Sequence, residues 1–145
     1  MPRRLSSFVT IALAISATPL YGANVKVTDS KGNAVEVRNV EIDYTHYPSI
    51  GLYTPDHESE GVRAYQGDGI VTIKWEQIEQ LVIKRVKPEI SPSRLVGDVA
   101  LKNKTVASVN LVYSEKGLQG TTDLGVFKIL LADISTITVL PRAKR

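Results

Sequence analysis

An all-β protein made of two tandem small units is what this sequence predicts, and three observations carry that expectation. Short runs rich in Val, Ile, Thr and Tyr, punctuated by Gly, Asn and Asp, fill most of the chain. Beyond residues 1–23 no long stretch shows helical periodicity. Finally, one pattern occurs twice without a gap: Gly69 to Ile83 reads GIVTIKWEQIEQLVI, and Gly125 to Val139 reads GVFKILLADISTITV. Gly69 meets Gly125, Ile73 meets Ile129, Ile78 meets Ile134, Leu81 meets Ile137 and Ile83 meets Val139. A self-match at fixed spacing marks two copies of one supersecondary unit.

The first residues read as an address rather than as part of the fold. Met-Pro-Arg-Arg leads into Leu5 to Leu20, which carries no charge, and the stretch closes on Tyr21-Gly22-Ala23. A basic start, a short apolar run and small residues at the exit are the pattern of a signal-peptide helix, with cleavage expected after Ala23. The run holds Thr10, Ser16, Thr18 and Pro19 and falls short of the roughly 20 apolar residues of a membrane span. The expected destination is therefore the periplasm or the extracellular space, with no stable span after cleavage.

Removing residues 1–23 removes Arg3 and Arg4 and no acid, so the formal charge falls from +3 to +1. That balance offers no basic face, and nucleic acid is not an expected partner. The chain has no cysteine, which excludes thiol chemistry, disulfide staples and cysteine-based zinc sites. Stability must come from burial, and residues 24–145 suffice for one ordinary domain or two very small ones.

The elements follow in order. Val25 to Thr28 is a strand, and Asp29-Ser30-Lys31-Gly32-Asn33 is a turn whose Gly32 suits positive φ. From Ala34 to Tyr44 the apolar positions slip from odd (Val35, Val37) to even (Val40, Ile42, Tyr44), which predicts a bulge or bend near Asn39. Residues 45–60, with Pro48, Pro55 and several charges, read as a loop insertion. Val62 to Tyr65 and Ile70 to Trp75 form a hairpin across Gln66-Gly67-Asp68-Gly69. Trp75 to Gln80 turns once as a short helical segment that drops Ile78 inward, and Leu81 to Val86 is the next strand. Lys87 to Ser93, with Pro88 and Pro92, reads as a linker. The second unit repeats the scheme: Leu95 to Leu101, a turn at Lys102-Asn103-Lys104, Thr105 to Tyr113, Leu118 to Thr122, and the repeated segment.

The expected division is thus residues 1–23 as leader, 24–87 as the first barrel-like unit with its insertion at 45–60, 88–93 as linker, 94–140 as the second unit and 141–145 as a basic tail. Short bent strands with one helical turn before the last suit a small closed barrel, which leaves few edges. Val27-Thr28-Asp29-Ser30-Lys31-Gly32, followed later by Gly69-Ile70-Val71-Thr72-Ile73 and the spacing of Ile78, Leu81 and Ile83, resembles small exported bacterial domains of Sm-like or SH3-like barrel type. The resemblance covers most of each unit and rests on hydrophobic spacing and one glycine. It implies fold and compartment and no activity, and the chain lacks the anchoring cysteine of the lipoproteins of that kind.

Candidate chemistry is confined to the first unit. No nucleophile and base stand at a spacing that would pair them, so no catalytic residue, cofactor or enzymatic activity is expected. Tyr47 and Tyr53, beside Pro48 and Pro55, are candidates for an exposed aromatic recognition surface toward an unknown protein partner, and the expected role is that of a protein-interaction or structural module of the bacterial cell envelope. His46 and His57, in a loop that also holds Asp43, Asp56, Glu58 and Glu60, support an alternative as a metal or small-ligand module. Their eleven-residue separation fixes no coordination geometry, and no metal is assigned.

Overall fold

A computed structural model describes residues 22–46, 54–85, 95–114 and 116–141. The protein is all-β: a curled antiparallel half-barrel sheet. Its strands are β1 (Val25–Asp29), β2 (Ala34–His46), β3 (Thr54–Glu58), β4 (Gly61–Gln66), β5 (Gly69–Lys74), β6 (Ile78–Arg85), β7 (Leu95–Leu101), β8 (Val106–Leu111), β9 (Gly117–Thr122), β10 (Gly125–Ile129) and β11 (Ile134–Val139). Single 3-10 turns at Trp75–Gln77 and Leu131–Asp133 precede β6 and β11. Among the described residues no helix is long and apolar enough to cross a membrane.

The local expectations hold. Gly32 takes φ 91° in the first turn, and the β4–β5 hairpin closes through Gly67 at φ 61° with Gln66 opposite Gly69. The slip in β2 is a real irregularity: its pairing with β9 jumps between Arg38 and Glu41, and Asn39 stands at φ 51°. Asparagine tolerates that left-handed conformation better than most residues. The bend turns Val37 and Val40 to the same interior, and both are fully buried. The two 3-10 turns have nearly the same entry and exit angles, φ −68° and ψ 138° at Lys74 against −68° and 142° at Leu130. Trp75 and Leu131 begin these turns and are buried, as are Ile78 and Ile134, which end them.

Two expectations are corrected. Residues 45–60 are not simply a loop, because β3 pairs with the end of β2 from Ile42 opposite Glu58 to His46 opposite Thr54. Pro55 is compatible with this because β3 is an outer strand, in which alternate N–H groups point away from β2 and proline is tolerated. Nor is strand pairing confined within the segments 24–87 and 94–140, because β1, β2, β4 and β6 each also pair with a strand of the other segment. The sheet order is β10-β9-β2-β1-β11-β6-β7-β8-β4-β5, with β3 on β2. The opening strands β1 and β2 therefore pair with β11 and β9, near the chain's end. The strands on either side of the expected linker, β6 and β7, pair with each other along seven rungs from Ile78–Leu101 to Arg85–Leu95. Nothing in local hydrophobic spacing selects between partners that carry the same pattern, which is why the pairing is not legible in it.

A continuous core runs under the sheet from Val25, Val27 and Ile137 through Leu81 and Val99 to Leu95 and Leu111. Gly61 and Gly117 let the two strands of each outer hairpin, β4–β5 and β9–β10, approach closely. A Cβ on Gly61 would stand 2.0 Å from the Ile73 carbonyl oxygen, and one on Gly117 would stand 2.0 Å from that of Ile129. Residues 1–21 of the leader, residues 88–93, residues 142–145, and Tyr47 and Tyr53 lie outside the described residues, whereas Gly22 and Ala23 are described and Ala23 is buried.

Candidate functional site

The β2–β3 ribbon carries different chemistry on its two faces. Alternation along β2 sends Ile42 and Tyr44 into the core and Glu41 and Asp43 outward. Because Asp43 stands opposite His57, the two side chains share the outward face. His57 Nδ1 lies in short hydrogen-bond contact with Asp43 Oδ1 and 3.7 Å from Glu41 Oε1. One ligand atom from each of Glu41, Asp43 and His57 falls within 4.8 Å of the others.

The backbone beneath this cluster is tied down. Ser114, buried, donates its hydroxyl to the Asp43 carbonyl and accepts the Gly117 N–H at 2.9 Å. Gln119, facing Glu41 across the β2–β9 pairing, donates its amide to the Glu41 carboxylate. Glu41 is thus aimed by β9, Asp43 by β2 itself and His57 by β3. His57 remains about half exposed. A carboxylate pair with one imidazole is a donor set that suits divalent cations such as zinc or manganese.

On the other face, Arg63 of β4 holds the ribbon to the body of the sheet. Its guanidinium donates from Nη1 and Nη2 to the two carboxylate oxygens of Asp56, the latter at 3.0 Å, and from Nε to Glu58 Oε1 at 3.2 Å. It also lies 4.7 Å over the Tyr44 ring, and its backbone N–H donates to the Tyr44 hydroxyl at 3.1 Å. Thr72 of β5 donates to Glu58 Oε1 at 3.3 Å. Hydrogen bonding to Asp56 is the main cause that raises the Arg63 pKa, against an opposing effect of burial. Burial pushes the Tyr44 phenol up to about 12, although the Arg63 N–H and charge pull the other way. This planar, fork-like ion pair is the geometry for which arginine and lysine are not interchangeable.

Of the expected site residues, His57 is in the cluster. His46 closes β2 opposite Thr54, three rungs from the Asp43–His57 pair, so it is Asp43 and not His46 that meets His57. Three rungs of strand are roughly 10 Å, beyond a shared coordination sphere. Sequence reasoning misses Glu41 because it stands before the segment that reads as a loop, and its tie to Asp43 appears only as same-strand alternation. Tyr44 is buried and Tyr65 is exposed.

Comparison of the chain with family models, with curated proteins and with solved structures gives no match.

Proposed function

We propose that the protein is an exported, non-enzymatic interaction module of the bacterial cell envelope, built from two small SH3-like or Sm-like units, that binds a protein partner by strand addition. The observation that carries this reading is the state of the two outermost strands. Among the described residues each of β5 and β10 has one hydrogen-bonded neighbour, and each carries exposed apolar side chains: Ile70 is 58 % and Val126 75 % exposed. Leu124, in the turn before β10, is also fully exposed. An unpaired edge presents a row of N–H and C=O groups to an incoming strand, and flanking apolar side chains add affinity. Export rests on Arg3-Arg4 and the uncharged run Leu5 to Leu20.

The test uses the full chain in its native envelope, with a photo-crosslinking residue at 70 or 126 and a control at the exposed Glu36 of interior strand β2. One discrete protein captured from 70 and 126, absent from 36 and lost in Ile70→Lys and Val126→Lys, is the expected outcome. Equal capture from all three positions overturns the edge reading. N-terminal sequencing of the exported protein tests the leader. Cleavage after Ala23 would take away the carbonyl that accepts the Val40 N–H at 3.0 Å.

The cluster at Glu41, Asp43 and His57 favours a second reading, a divalent-cation module on the same ribbon. Titration of the full chain with zinc or manganese, read by calorimetry, should give one site that His57→Ala abolishes. Heat indistinguishable from that of the His57→Ala variant removes this reading and leaves the first intact.

A further inference from the structure

We infer that the chain is two copies of one five-strand unit that have exchanged their opening hairpins, so that the hairpin each unit accepts comes from a second copy of the same unit. The sheet order carries the first part of this. Read outward from the central β11–β6 contact, one side runs β11, β1, β2, β9, β10 and the other runs β6, β7, β8, β4, β5. By position in the sequence, each side combines the first two strands of one half with the last three of the other.

The registers coincide rung by rung. Shifting β4, β5 and β6 by 56 positions gives β9, β10 and β11, as 69 becomes 125. Shifting β1 and β2 by 72 gives β7 and the span of β8, as 25 becomes 97. Under these two shifts the pair Val25–Val139 becomes Gly97–Ile83 and Lys26–Thr138 becomes Asp98–Val82, and both pairs are formed. The irregular rung is reproduced too, since Asp29–Ile134 becomes Leu101–Ile78, each after a skipped residue.

The hairpin turns agree down to single hydrogen bonds. Gly32 N–H donates to the Asp29 carbonyl at 3.0 Å, and Lys104 N–H to that of Leu101 at 3.0 Å. Ser30 N–H donates to Asp133 and Lys102 N–H to Gln77, both at 2.9 Å. Gly32 and Lys104 both have positive φ, 91° and 74°. That a lysine adopts it means the surrounding ladder imposes the conformation, against a side-chain preference of about 1–2 kcal/mol.

The seam has the signature of a two-fold axis. In β11–β6, Thr136 faces Val82 and Thr138 faces Gln80, while Ile137 faces Leu81. The 56-position shift turns the first pair into the second and maps the third onto itself. An isologous contact between two copies requires this, with i meeting j and j meeting i. The covalent connection keeps the second copy at high effective concentration, so exchange within one chain prevails in dilute solution. At high concentration another chain can supply the same hairpin.

The chain lacks cysteine, so paired substitutions read the connectivity directly. Lys26→Cys with Thr138→Cys places two thiols on facing rungs, as does Asp98→Cys with Val82→Cys. Had each hairpin stayed with its own half, the facing pairs would be Lys26 with Val82 and Asp98 with Thr138. In the exchanged sheet those positions are two strands apart and offset by two residues, roughly 12 Å and too far for a disulfide. Under mild oxidation of full-length protein at micromolar concentration, peptide mapping should find the first two bonds within single chains and neither of the latter two. Formation of the latter two, or failure of both exchanged pairs to close, overturns the exchange. Refolding of the Lys26→Cys, Thr138→Cys variant at millimolar concentration should yield a dimer fraction whose chains are linked through the same two positions, 26 of one copy and 138 of the other. Absence of that dimer overturns the claim that a second chain fits.

Discussion

The two sides of the sheet share one backbone and differ in what they carry. On the side of β8, the chain passes from Leu111 to Gly117 in a few residues. On the side of β2, it runs on to His46 and returns through β3 before reaching Gly61. The difference between the two shifts, 72 less 56, is 16 positions, and those extra residues hold or adjoin every member of the candidate cluster. The backbone repeats where packing dictates it and departs where the candidate cluster stands. Even the shared turn is braced differently on each side. The Asp29 carboxylate accepts the Lys31 and Asn33 N–H groups at 2.9 Å, whereas in the other turn the Asn103 amide oxygen accepts from Thr105 at 2.9 Å. Those N–H donors, Asn33 foremost, lower the Asp29 pKa.

The largest expected effect tests whether the outer hairpins are equivalent. Gly61→Ala and Gly117→Ala should each destabilise by at least about 4 kcal/mol in urea titrations, because backbone stands where the methyl must go. Gly117→Ala should be the worse of the two, since φ 80° adds strain that Gly61 does not have. Tolerance of one and not the other would break the comparison.

At the seam, Leu81→Ala and Ile137→Ala should each cost about 2–5 kcal/mol and agree closely with each other, as both are buried on the same rung. Because they touch, the double variant should be non-additive by about 0.5–3 kcal/mol.

The ribbon's two grips should differ. Arg63→Ala leaves Asp56 and Glu58 without their guanidinium contacts and should cost about 2 kcal/mol, while Gln119→Ala should cost less than about 1. Tyr44 adds a pH signature on the Arg63 side alone. Its phenol keeps its proton in the folded state up to about 12, against an ordinary 10.0. From pH 10 upward the unfolded chain therefore binds fewer protons than the folded one, and stability falls with rising pH across that window. Tyr44→Phe should remove this alkaline decline in urea titrations at pH 9 to 11, at a small cost for the lost Arg63 N–H contact. The smallest effect belongs to His57→Ala, which should leave the urea midpoint within about 0.5 kcal/mol because half its side chain is in water.

How much of this is legible in the sequence follows from the range of the interactions involved. Gly32, the Gly67-Asp68 hairpin, the slip at Asn39 and the inward Ile78 are local signals, and each stands where the residues point. Strand β3 is not legible because Thr54-Pro55-Asp56-His57-Glu58 has the composition of a loop. What holds it is Arg63, which belongs to a strand beyond it in sequence and declares itself only through the folded contact. The meeting of Glu41 with His57 is likewise a product of register. Partner choice lies deepest: hairpins β1–β2 and β7–β8 have the same pairing register, so local pattern does not say which half each will join.

Native-state hydrogen exchange measures the interleaving most directly. If each half of the chain completes the other, hairpins β1–β2 and β7–β8 cannot open apart from the strands they complete. The core amides of Val27, Leu81, Val99 and Ile137 should then exchange through a single global opening with one common free energy. Two separate free energies, one for residues 25–85 and another for 95–139, would mean two domains lying side by side and would contradict the account.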